Sequence, residues 1–251
     1  REARVLTALG AAGFPVARVY GLCTDDSVIG SWFYVMEMVE GRIFWDATFP
    51  DVPRDERPLY FAAMNKVIAQ LHSFDPVAVG LEDYGKPGNY FQRQIARWSR
   101  QYVEDELAGR DPGMDRLIEW LPTAIPEGDE TRIVHGDYRC DNMIFHPIEP
   151  RVLAVLDWEL STLGHPLADF ANHAMMFRMP PDIVAGLAGA DLSALNIPSE
   201  ATYREAYARN AGRSPIPERD YAFYIAFNFF RLAAIFHGIK GRVMRGSAAS
   251  V

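Results

Sequence analysis

The sequence predicts an α+β fold: a short mixed segment at the start, then a larger and mostly helical region. Three observations predict it. Two β-type runs at residues 16–23 and 32–39 flank a turn region containing Asp25, Asp26 and Gly30. Long stretches with helical spacing fill much of the remaining chain, at residues 59–72, 90–107, 200–211 and 220–246. Between them, residues 133–159 hold short apolar runs that lead into acidic residues.

Residues 2–12 come first. Ala3, Val5, Leu6 and Leu9 recur at helical spacing, and the run ends among Gly10 to Gly13. Glu2 falls in the first turn, where a carboxylate is favourable. The two strands follow. Residues 40–58 read as a loop in which Phe44, Trp45 and Phe49 lie among Pro50, Pro53 and Pro58. Packing under the loop is expected there rather than a cover for a cleft. In the helix at 59–72, Leu59, Met64, Val67, Ile68 and Leu71 form the apolar face, and His72 reads as a capping or core-edge residue.

Residues 81–89 are a glycine-marked loop. The helix at 90–107 places Arg93, Arg97 and Arg100 on one face. That face suits either an acidic substrate or solvent, and a solvated face is the simpler expectation. A short helix at 114–121 is ended by Pro122.

The central stretch reads IVHGDYRCDNMIF at 133–145 and VLAVLDWE at 152–159. Five consecutive apolar residues, Val152 to Leu156, have the length and composition of a buried strand, which delivers Asp157 at its carboxyl end. Asp137, Asn142 and Asp157 therefore sit on loops pinned by short strands. Two carboxylates and an amide held in this way suit phosphoryl transfer. One carboxylate orients a hydroxyl and takes its proton, and oxygen ligands hold Mg²⁺ between phosphates. Arg139 and Asp141 face substrate or solvent, Cys140 reads as packing, and Glu159 is open between metal support and a local ion pair. Beyond a turn at Gly164 to Pro166, residues 167–177 are expected to be helical. A short helical piece is expected at 183–187, within an irregular stretch that runs from 180 to 198.

Composition narrows the class. Hydrophobic residues make up 49% of the 251, enough for a substantial core. Cys23 and Cys140 are the two cysteines and offer neither a disulfide framework nor metal-ligand spacing. A reducing, cytoplasmic setting is expected. No signal peptide is read at the start. The apolar run at 223–236 contains Asn228 and Arg231 and is short for a bilayer span, so a buried helix is expected and no membrane partner. A net charge of −8 argues against generic nucleic-acid binding.

The H-G-D-x-x-x-x-N pattern of His135 to Asn142, followed by an apolar strand and Asp157, resembles the catalytic and metal loops of the aminoglycoside phosphotransferase family. The context DWELSTLGHPLADFA is most similar to the kinase-like domain of acyl-CoA dehydrogenase family members 10 and 11 and their bacterial relatives. The likeness runs from Arg1 to about Ser250. It implies a protein-kinase-like fold, with residues 1–39 belonging to the small lobe and hinge and 40–251 forming the helical lobe.

The resemblance also implies roles. Asp137 would be the base, Asn142 and Asp157 the Mg²⁺ ligands, and His135 a structural holder of the loop. Asp169, in HPLADFA, would brace that loop through its backbone. Met36 would back the adenine pocket, while the Glu37 carbonyl and Val39 amide would pair with the adenine edge. Glu2 would occupy the place of the glutamate that pairs with a phosphate-binding Lys. The family's glycine-rich hairpin and that Lys precede the point corresponding to Arg1, and neither lies within these residues. The C-terminal helices are where the family builds its acceptor pocket.

The expected function is ATP- and Mg²⁺-dependent phosphorylation of a hydroxyl on a small molecule. A hydroxyacyl-CoA-like acceptor is implied by the nearest likeness, and aminoglycoside, choline and homoserine-type acceptors stay open. Two other classes are weighed beside it: a non-catalytic nucleotide-binding module, and an enzyme that transfers another part of the nucleotide.

Overall fold

The computed structural model describes residues 1–183 and 185–247. The first helix, α1 (Glu2–Ala11), buries Ala3, Val5, Leu6 and Leu9 on one face. Beyond it, β1 (Val19–Cys23) pairs antiparallel with β2 (Phe33–Met36), from Val19↔Met36 to Cys23↔Phe33. Both strands are shorter than their apolar runs. At the front, the Pro15 carbonyl accepts the Val155 amide at 2.9 Å, which draws the chain away from the hairpin. At this same open end, a single bond from Glu37 N to Arg18 O (2.8 Å) lies just beyond the Val19↔Met36 pair.

Residues 40–56 form no helix or strand. Phe44 and Phe49 are buried; Phe44 packs edge-on with Tyr60 and Phe145, and Phe49 edge-on with Phe145, whereas Trp45 is exposed. The next helix, α2 (Arg57–Ser73), starts two residues before the expected point. Pro58 lies in its first turn, where a missing N–H costs nothing. After α3 (Tyr90–Glu104), a 3₁₀ turn covers the last residues expected to be helical. Asp111 caps α4 (Pro112–Trp120) by accepting from Gly113 N at 2.8 Å and Met114 N at 3.1 Å.

Two further strand pairs carry the central loops. The first joins β3 (Arg132–Val134) antiparallel to β6 (Thr162–Gly164), and the second joins β4 (Met143–Phe145) to β5 (Val152–Val155). The strand β6 falls partly where the sequence suggests only a turn. Three residues are too few to display a period, and the partner lies some thirty residues earlier.

The chain then forms α5 (Pro166–Ala174), a 3₁₀ turn to Phe177, α6 (Leu192–Leu195), α7 (Glu200–Asn210) and α8 (Glu218–Met244). The helical piece expected at 183–187 includes Val184, which lies outside the described residues; Ile183 and residues 185–187 belong to no helix. By length and apolarity α8 could cross a bilayer, but Phe223, Phe227, Phe230 and Ala234 are buried in the core and the helix packs on α3 and α5. Gly241 permits close approach to the end of α3, because a Cβ there would meet the Asp105 carboxylate at 2.0 Å. A continuous apolar core runs from α1 through α2 and β4 to α8.

Candidate active site

The loop after β3 is held from below. Ile133 and Val134 are buried, and they deliver a fully buried His135. Its Nε2 lies 2.8 Å from the Leu156 carbonyl and its Nδ1 accepts the Asp137 amide at 3.2 Å. A carbonyl can only accept, so the proton sits on Nε2 and the ring is neutral. Burial, opposed by nearby carboxylates, lowers its pKa in agreement. Gly136 has φ +88°, and a Cβ there would lie 3.0 Å from the Leu160 carbonyl. Only glycine meets both conditions without strain.

Asp169, on α5, faces this loop. Its Oδ2 accepts the His135 amide and its Oδ1 the Gly136 amide, each at 2.8 Å. His72 Nε2 adds a third donor at 3.1 Å, and Tyr207 OH lies 2.7 Å from His72 Nδ1. Burial alone would raise the Asp169 pKa. The His72 hydrogen bond and charge, with His135, outweigh it and hold the carboxyl below its usual range.

Asn142 and Asp157 are brought together by the β4–β5 ladder. The register Met143↔Val155 puts Asn142 opposite Leu156, whose amide donates to the Asn142 carbonyl at 2.8 Å. The Asn142 side-chain Nδ2 donates to the Asp137 carbonyl at 2.9 Å and to Asp137 Oδ2 at 3.2 Å. Its Oδ1 is left as an acceptor. Asp157 has φ +61°, unusual for a residue with a Cβ. The neighbouring Trp158 holds it there: the indole is buried, donates to Val155 O at 2.9 Å and packs edge-on against His135 and Phe14. The Asp157 side chain is exposed and has no hydrogen-bond partner among the described residues. A carboxylate and an amide oxygen, delivered at the ends of paired strands, supply hard-oxygen donors of the kind Mg²⁺ takes when phosphates and water complete the shell.

Glu2 accepts from Tyr34 OH at 3.1 Å. Burial raises the Tyr34 pKa, and Glu2 and then Asp157 add to it. Met36 ends β2 and is exposed. Among the described residues the Glu37 carbonyl and Val39 amide have no backbone partner. No hydrogen bond joins these three residues to Asp137, Asn142 or Asp157. Glu159 is exposed.

Beside Asp137 lies a cavity of about 170 Å³, lined by Met175, Met176, Met179, Leu232 and Phe236 among others. Its lining carries one carboxylate, Asp137, and one cation, Arg139. Arg139 is paired with Asp141 and its Nε stands 3.8 Å from Asp137. Burial pushes the Cys140 thiol up to about 12, so this wall residue is unreactive. His173 bonds the Tyr138 carbonyl (2.9 Å) and Tyr203 OH (2.7 Å), and burial lowers its pKa to about 4.

Sequence reasoning placed His72 at the core edge without its link to Asp169, and missed Asn172, His173, the three methionines and Arg231. One signal was available. Asp169, Asn172, His173 and Met176 stand at i, i+3, i+4 and i+7, one helical face aimed at the loop and the cavity.

The family model described as "Phosphotransferase enzyme family" matches residues 1–224. The chain belongs to that family. Mouse acyl-CoA dehydrogenase family member 10 is 44% identical over 252 residues, covering all of this chain and 23% of that protein. The chain thus spans about a quarter of that relative's length. A crystal structure from Ralstonia eutropha JMP134, provisionally called an aminoglycoside phosphotransferase, is 53% identical, with a TM-score of 0.94 over 100% of this chain and 76% of that one. Aminoglycoside phosphotransferase APH(4)-Ia, solved with ADP and hygromycin B, is 14% identical with a TM-score of 0.61, covering 100% and 83%. At that identity the likeness is of fold alone. The fold of this phosphotransferase family member is protein-kinase-like, as the HGD and LDWE motifs suggest.

Proposed function

We propose that the protein transfers the γ-phosphoryl group of ATP to a hydroxyl of a small molecule, with Mg²⁺ bound between the phosphates. The observation that carries this reading is the grouping of Asp137, Asn142 and Asp157 at the ends of two strand pairs, beside a cavity that can hold an acceptor. Asp137 Oδ2 is held by the Asn142 amide, and Oδ1, which has Arg139 Nε at 3.8 Å but no hydrogen bond, would accept the acceptor hydroxyl and its proton. Asn142 Oδ1 and the Asp157 carboxylate would hold the metal, which when bound neutralises charge on the phosphates. Asp169, His72 and His135 keep the loop in one geometry, and catalysis is positioning plus charge stabilisation. Met36, Glu37 and Val39 would meet the adenine. Glu2 belongs to the phosphate side, with residues 1–39 as small lobe and hinge.

The acceptor in this reading has an apolar body. Three methionines, Leu232 and Phe236 line the cavity, and its one carboxylate is the proposed base. A polycationic aminoglycoside would find no spare acid there, and choline no aromatic cage. A hydroxyacyl-CoA-like acceptor fits better. The test is mass spectrometry of candidate acceptors after incubation of the full natural protein with ATP and Mg²⁺. Gain of one phosphate is expected. Gain of a nucleotidyl group, or no product across hydroxyacyl acceptors together with no nucleotide binding, refutes the reading.

A further inference from the structure

Arg231 is a cation beside the catalytic loop with no acidic partner. It lies on α8, half-buried, and its Nη2 donates to the Gly136 carbonyl at 2.9 Å. Among the described residues no carboxylate lies within 4.0 Å of it. Arg139, the cation in the cavity lining, is by contrast paired with Asp141 and lies 3.8 Å from Asp137. Holding the Gly136 carbonyl does not require a charge. Asn172 Nδ2 already approaches the same oxygen at 3.4 Å.

A guanidinium has five N–H donors in a planar fork, and one is accounted for here. Taking such a group partly out of water without a counter-charge is unfavourable. Arg231 stands behind the cavity wall rather than in its lining: Asn172, which shares its acceptor, lines the cavity with Asp137.

We propose that Arg231 recognises an acidic group, carboxylate or phosphate, carried by the acceptor. The apolar body of that acceptor occupies the methionine-lined cavity and its hydroxyl meets Asp137. The proposal rests on reading that cavity as the acceptor site. It assigns a selectivity that the apolar walls alone would not produce: among alcohols of equal bulk, acids are preferred over neutral molecules.

The test is an NMR titration of the full natural protein, without nucleotide, using hexanoate, hexyl phosphate and hexanamide. At least one acid should bind about ten-fold or more tighter than the amide, the worth of one charge-assisted hydrogen-bonded pair. Arg231→Met should erase that preference and leave hexanamide binding unchanged, while Arg231→Lys retains part of it. Whichever acid depends more on Arg231 identifies the group recognised. Should Arg231→Met not fold, Arg231→Gln, which keeps a donor for Gly136 but no charge, carries the same comparison. Equal loss for acids and amide, or no binding by either acid, overturns the proposal. So does an equal fall in Mg²⁺–ATP affinity, which would assign the cation to the nucleotide. Arg231-dependent acid binding in a protein that neither binds nucleotide nor transfers phosphate would instead refute the kinase reading and leave Arg231 as an acid-binding residue of a site with another function.

Discussion

His72 Nε2 lies 3.1 Å from Asp169 Oδ2, the same oxygen that receives the His135 amide. One buried carboxylate therefore ties the end of α2 to the loop bearing Asp137. Asp169→Ala strands the His135 and Gly136 amides, at roughly 1–3 kcal/mol for each buried group left unpaired. Melting temperature and activity should fall together. Unchanged values in both would show that the bracing is dispensable.

The Asp169 pKa is lowered in the fold, which sets a sign. Its contribution is complete above about pH 4, the unfolded value, and is lost as pH falls through the folded value. His165 and His173 act in a different window. Burial lowers both to about 4, so between about pH 6.5 and 4 the unfolded chain binds protons that the folded sites refuse. Acidification across that window should reduce stability by up to ~1.4 kcal/mol per pH unit for each histidine. Urea unfolding at a series of pH values measures the slope, and His173→Asn should flatten it.

Asp137→Asn keeps the shape of the side chain and removes its charge. Phosphoryl transfer should fall by roughly 10²–10⁴, the usual loss for a general base, with ATP affinity nearly unchanged. A parallel loss of ATP affinity would place Asp137 among the metal ligands. Full transfer activity would remove it from the mechanism.

Asp157 combines an exposed carboxylate with φ +61°. Asp157→Ala and Asp157→Gly should both abolish Mg²⁺-dependent nucleotide affinity, measured by calorimetry. Their stabilities should differ in a definite direction. Alanine in the left-handed region is strained by about 1–2 kcal/mol where glycine is not, so the glycine variant should be the more stable. Retained Mg²⁺–ATP affinity in either folded variant would exclude Asp157 as a ligand.

At Gly136, alanine meets both a positive φ and the Leu160 carbonyl. Gly136→Ala should lower stability by about 1–3 kcal/mol and displace the Asp137 loop, seen as lost activity at unchanged expression. Wild-type activity would show that the loop tolerates the shift.

Much of this protein is written locally. His135, Asp137 and Asn142 lie within eight residues of one another, and an apolar run delivers Asp157, so short-range spacing alone names the three groups that the β4–β5 register brings near one another. The same holds for α1, which buries the Ala3, Val5, Leu6 and Leu9 that the spacing names, and in part for α2, where Met64, Ile68 and Leu71 are buried but Leu59 is exposed. Asp169 could be singled out from HPLADFA, but the geometry of its contacts could not.

What surrounds those groups was decided by tertiary structure. His72 is 97 residues from Asp169, and Arg231 is 95 from Gly136. The strand β6 exists because β3 is there to pair with it, and the cavity beside Asp137 draws its walls from residues as far apart as Ala47, Asn172 and Phe236. Contacts at such separations leave no period or spacing in the chain. A residue near the end of α2 reads the same whether it faces solvent or a buried carboxylate. Only the closing of the core, where every buried charge and amide must find a partner, decides which it is.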